Sequence, residues 1–188
     1  MERKKLLVSI FLSFILITSV LGFVISFDDN TNNNENNQIP SDSIEINGIK
    51  LQKSQTGIWF VDRNGINVIF NHLPEELDEI KIPDFSFATD KIYIISDPEN
   101  QDTNMDYLLG KTSLGLKAAG YKTVFACSKE ENCNIDIPIK DCSNYAFYIR
   151  RLNESKAYNN DKCLILTGDD NTLNMFVDKI NYKLIGVE

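Results

Sequence analysis

Four cysteines, at 127, 133, 142 and 163, and one histidine, His72, are the side chains of this 188-residue sequence best suited to nucleophilic or metal chemistry. A single histidine removes zinc sites of the multi-histidine kind and routes any Ser/His or Cys/His mechanism through His72 alone. Beside Leu73-Pro74, His72 reads as a turn residue rather than a general base. The cysteine spacings of 6, 9 and 21 contain no C-x-x-C and no chelating pair of the usual kind. No cysteine stands just before the helix expected at 103, where the helix dipole would lower a thiol pKa. The four therefore read as structural bridges rather than a redox centre.

Other motifs weaken in their context. Gly110-Lys111-Thr112-Ser113 echoes the end of a phosphate-binding loop, but Met105 stands where the first glycine is required, and the segment falls mid-helix, without free N–H groups. Asp102-x-Asn104-x-Asp106 resembles the start of a calcium loop, yet Tyr107 and Ser113 occupy the positions of the glycine and the bidentate glutamate. These acids read instead as the start of a helix. The pairs Glu75/Glu76, Asp78/Glu79 and Asp169/Asp170 are adjacent in sequence, so they read as caps or solvated faces rather than two carboxylates facing across a cleft. Asn153-Glu154-Ser155 is a glycosylation sequon in an expected turn. No residue is assigned a catalytic, cofactor-binding or metal-binding role.

The elements that would position these residues are legible. Residues 44–71 hold two Asn-Gly dipeptides, at 47–48 and 64–65, separating strands expected near 49–54, 57–62 and 66–71, with Trp59 packing where this meander meets the rest. Leu73-Pro74-Glu75-Glu76-Leu77 starts a one- or two-turn helix. The apolar run 91–95 reads as a central strand. Met105, Leu108, Leu109, Thr112, Leu116 and Ala119 form one helical stripe closed by Gly120. The run 123–126 completes a strand-helix-strand unit, so the sheet there is parallel. Strands are expected at 145–149, 156–158 and 163–166. A last helix is capped by Asp169 or Asp170 and faces the sheet with Leu173, Phe176, Val177, Ile180 and Leu184. The fold class is α/β, a mixed sheet with flanking helices preceded by a small antiparallel meander.

Strand order also selects among the three possible cysteine pairings. If 145–149 and 163–166 run the same way, Cys142 and Cys163 lie at one end of the sheet and pair, leaving Cys127 and Cys133 to close a short loop.

Residues 1–27 are a separate object. Arg3, Lys4 and Lys5 precede 22 uncharged residues from Leu6 to Phe27, followed by Asp28 and Asp29. As a helix this run is about 33 Å long, enough to cross a hydrocarbon core of about 30 Å, and the flanking charges put the N-terminus in the cytoplasm. An uncleaved signal-anchor is expected, with everything after it outside the cell membrane, where disulfides form. Residues 28–43, with six asparagines and no aromatic, read as a linker. Residues 44–188 form one extracytoplasmic domain. The chain carries −8 overall, and the part beyond the span has sixteen Lys+Arg against 26 Asp+Glu. That balance argues against nucleic acid as a partner. It also leaves the N-terminal helix as the membrane contact.

The stretches INGIKLQKSQTGIWFVDRNGINVIFNHLPEEL, ACSKEENC and CLILTGDDNTLNMFVDKINYKLIGV resemble a group of single-span, membrane-anchored archaeal proteins with an extracytoplasmic α/β domain. The resemblance implies a surface location and lends no catalytic residue. The function expected from the sequence is a tethered extracytoplasmic binding module that takes an envelope protein or glycan, with Tyr145, Phe147, Tyr148 and Tyr158 as candidates for an exposed patch. The alternative is an extracytoplasmic enzyme, either a thiol-disulfide oxidoreductase or a carboxylate-based hydrolase. A third reading is a structural subunit of a membrane complex.

Overall fold

The computed structural model describes residues 42–134 and 136–188. The expected span at 6–27 and nearly all of the linker lie outside the described residues. Among the described residues, no helix is long and apolar enough to cross a membrane.

Two sheets enclose a helical layer. The first is an antiparallel meander of β1 (Ser43–Ile46), β2 (Ile49–Lys53), β3 (Trp59–Arg63) and β4 (Ile66–Phe70) in sequential order. It has four strands rather than three, because the segment before Asn47-Gly48 pairs along its whole length with β2. Asn47 and Asn64 both adopt positive φ ahead of their glycines, the backbone that two-residue hairpin turns demand. A single 3-10 turn at Pro74–Leu77 follows, with Leu77 buried beneath it.

The second sheet contains β5 (Lys91–Ser96), β6 (Lys122–Cys127), β7 (Ala146–Arg151), β8 (Lys156–Asn160) and β9 (Cys163–Gly168) in the order β6-β5-β7-β9-β8. All neighbours are parallel except β8 and β9. β5 is an interior strand, paired with β6 on one side and β7 on the other, as its apolar run predicts. The expected strand-helix-strand unit runs from β5 through α1 (Thr103–Ala118) to β6, and α2 (Asp170–Ile185) follows β9. Asp102 and Asp169 cap the two helices by accepting the N–H groups of Met105 and Thr172.

Both helices lie between the sheets. One face of each, with Met105, Leu108, Leu116, Phe176 and Ile180, packs on Ile92, Ile94, Phe147 and Leu164 of the five-stranded sheet. The other side carries Ala118, Tyr182 and Ile185 into a second core with Leu51, Trp59, Val61 and Phe70 of the meander. Trp59 therefore sits where the meander meets the rest, and the Tyr182 ring stacks on Phe70 at 3.9 Å. The helices approach closely at Gly115, where a Cβ would collide with the side chain of Asn181. Cys127 is bonded to Cys133 and Cys142 to Cys163, the pairing expected from strand order.

Candidate functional site

Three regions bring together side chains with chemical potential. The first lies between the layers. Lys111, in the middle of α1, and Asp178, in α2, are both fully buried, with the ammonium 2.5 Å from Asp178 Oδ1. That ammonium also donates to Asn71 Oδ1 at 2.6 Å and Asn174 Oδ1 at 2.5 Å, so each of its three N–H groups faces an oxygen. Burial lowers the Lys111 pKa, and the Asp178 charge opposes that shift. Asp178 Oδ2 accepts the backbone N–H groups of Asn71 and His72 and contacts His72 Nδ1 at 2.8 Å. Tyr182 donates its hydroxyl proton to the His72 carbonyl, and burial raises its pKa. His72 is thus a turn residue after β4, as its position predicts, but the turn is clamped by a buried carboxylate. With every N–H of Lys111 occupied and its side chain sealed, this cluster fastens the meander to both helices. It offers a ligand no free donor.

The second region is the carboxyl edge of the parallel strands, where open α/β sheets tend to hold ligands. A cleft of about 260 Å³ there is lined by Ser96, Gln101, Asp106, Leu109, Phe125 and Cys127. Phe125 is 44% exposed. The buried Cys127 ties this cleft to the loop that Cys133 closes. Nearby, Arg151 at the end of β7 bonds Asp102 through two nitrogens and Asp170 through Nε. The hydrogen bonds from Arg151, followed by the Met105 N–H, hold the Asp102 carboxyl below its ordinary value. Four of the acids suggestive of calcium or hydrolysis are spent as caps and guanidinium partners: Asp102 and Asp169 cap helices, Asp170 meets Arg151, and Glu76 accepts the Leu73 N–H. Gly110-Lys111-Thr112-Ser113 lies inside α1, and Thr112 returns its hydroxyl to the Leu108 carbonyl.

The third region is the outer face of the five-stranded sheet. Pairing places Tyr93, Ile95, Ala126, Ala146, Tyr148, Cys163, Ile165 and Tyr158 on the side opposite the helices, and the cluster they form contains no helical residue. Its aliphatic members are buried, with Tyr93, Tyr148, Tyr158 and Cys142 packed against them. Lys91 and Lys140 lie over the Tyr93 ring at 5.0 and 5.1 Å, Arg150 over Tyr148 at 5.3 Å, and Lys156 over Tyr158 at 5.2 Å. Lys91 beside the phenol lowers the Tyr93 pKa. Cation–π contacts at such exposed positions are worth about 0.5–1 kcal/mol each.

This arrangement corrects the expected patch. Phe147 is fully buried in the helix-side core, and Tyr145 packs against that same core. Only Tyr148 and Tyr158 of the four reach the outer face, where Tyr93 joins them. Alternation along β7 separates 145 and 147 from 148, a period-two signal already present in the sequence. Asn153 is exposed in the turn between β7 and β8. The Lys111–Asp178 pair was not anticipated. Its one sequence signal is the polar series Asn174, Asp178 and Asn181 along α2, which helical periodicity alone assigns to solvent. Compared with models of known protein families, with curated proteins and with solved structures, the chain matches none.

Proposed function

We propose that this protein is a membrane-tethered, extracytoplasmic binding module of the cell envelope, and that its ligand surface is the outer face of the five-stranded sheet. The observation that carries the reading is the set of four cations resting on three tyrosines of a face that no helix covers. The uncharged run Leu6–Phe27 supports the tether, and the two disulfides support an oxidising location. The chain enters the domain at the meander, so the proposed surface belongs to the sheet on the far side of the helical layer.

Labelling intact cells and the purified full chain with a membrane-impermeant amine reagent tests both parts of this reading. Lys91 and Lys156 should be labelled several-fold less in cells than in the purified chain, while the exposed Lys50 and Lys117 label equally in both. Equal labelling of all four in both preparations would remove the ligand surface, and no labelling in intact cells would remove the outside location. A thiol-disulfide oxidoreductase is the second reading, favoured by Cys127 lining the apolar cleft at the strand ends. It requires the Cys127–Cys133 bridge to open under mild reductant while Cys142–Cys163 stays closed.

A further inference from the structure

We infer, on the reading that this face is the ligand surface, that its ligand is an acidic polysaccharide whose carboxylates meet Lys91, Lys140, Arg150 and Lys156 while its sugar rings lie on Tyr93, Tyr148 and Tyr158. The first support is charge. On a chain of net −8, four cations converge on one face. Each is held over a ring at 5 Å or more, a contact weak enough for a carboxylate to draw the cation aside. Among the described residues no ion pair engages these four side chains, in contrast to Lys111, so their charge remains available to an anion.

The second support is the layout of the rings. Tyr148 and Tyr158 flank Ile165 in one row across β7, β9 and β8, and Tyr93 lies one strand over and two residues back, opposite Ala146. At about 4.8 Å between strands and 3.3 Å per residue, the three positions stand about 8–10 Å apart along a shallow diagonal. A chain of saccharides has flat C–H faces that repeat along its length, and those faces suit the negative face of a tyrosine ring.

Other polyanions fit less well. Peptides add to sheet edges or enter grooves, and these residues lie on the open face of paired strands. Membrane docking calls for protruding apolar side chains. The exposed large hydrophobics among the described residues are Tyr107, Phe125, Ile139 and Leu152, none of them in this tyrosine cluster.

Calorimetric titration of the full chain in a neutral detergent with polygalacturonate tests the inference, with the fully methyl-esterified polymer, polyglutamate and phosphatidylglycerol vesicles as comparators. Binding is expected to polygalacturonate alone and to weaken as salt rises. The double variant Lys91→Gln/Lys156→Gln should bind about tenfold more weakly or worse, and Tyr148→Ala several-fold more weakly, with Lys117→Gln unchanged and melting temperatures preserved. Equal binding of polyglutamate would overturn the saccharide in favour of any polyanion, and preference for the vesicles would overturn it in favour of a lipid surface. Absence of polygalacturonate binding with Lys91 and Lys156 still protected in cells would overturn the ligand class and leave the surface standing. Absence of both would overturn the surface as well.

Discussion

Lys111 and Lys156 carry the same functional group to opposite ends. Lys111 is sealed between helices and meander, with an oxygen opposite each N–H and a carboxylate that also holds the turn at Asn71-His72. Lys156 stands on the outer sheet face, resting on a tyrosine ring. Burial and charge alone therefore do not identify a site. A cation whose donors are all spent is a fastening, whereas one held only by a ring can still be claimed by a ligand.

Asp178→Ala leaves Lys111 buried without its counter-charge and frees three donors of the Asn71-His72 turn. A loss of about 3–5 kcal/mol in denaturant unfolding is expected. A loss below about 1 kcal/mol would mean that water reaches the cluster and that it is not a fastening. Next in size are the bridges. Removing Cys142–Cys163 by paired alanine substitution should cost about 3 kcal/mol and removing Cys127–Cys133 about 2 kcal/mol, since loop-closure entropy grows with the logarithm of the loop closed. The reverse order would point to a structural load on the short loop beside the cleft.

Gly115→Ala should cost about 1–3 kcal/mol, because its methyl would push Asn181 away from the close contact between the helices. A neutral result would show that the helices can separate without cost. Asp102 supplies a pH test on the exposed side. Its folded pKa lies below the ordinary 3.8, so its contribution is complete above that value and is lost as pH falls through the lower folded pKa. Asp102→Asn keeps a capping side chain but loses the charge facing Arg151. Its melting temperature should lie below wild type at pH 7 and converge with it in acid; a gap that persists in acid would assign the effect to the cap. The smallest effect belongs to the outer face, where Lys156→Gln should change stability by less than about 1 kcal/mol in chemical unfolding. A larger loss would place Lys156 among the fastenings.

Much of the framework is readable from local signals. The Asn-Gly turns, the proline opening the 3-10 turn, the capping aspartates and the apolar runs of β5, β6 and β9 act within a few residues, so the elements fall close to where the sequence puts them. The cysteine pairing was legible because two strands of known direction bring their ends together. The outer face was only half legible. Period-two alternation separates Phe147 from Tyr148 and sets Lys91, Arg150 and Lys156 two residues from Tyr93, Tyr148 and Tyr158 on the same face, but Lys140 reaches the Tyr93 ring from a segment distant in the chain. The fourth meander strand went unread because a short, polar-alternating segment gains its stability from pairing with β2 rather than from its own composition.

The succession of strands and helices, the acidic balance and the two bridges are written in the chain, because each rests on residue type and short-range geometry. That the helices are covered on both sides emerges from long-range packing. That second covering turns Asn174, Asp178 and Asn181 from a solvent-facing stripe into a contact between layers, and it draws Lys111 out of a false nucleotide motif into an ion pair. The physical reason is that a helix repeats its faces every 3.6 residues whatever surrounds it, while the value of a polar face depends on what packs against it.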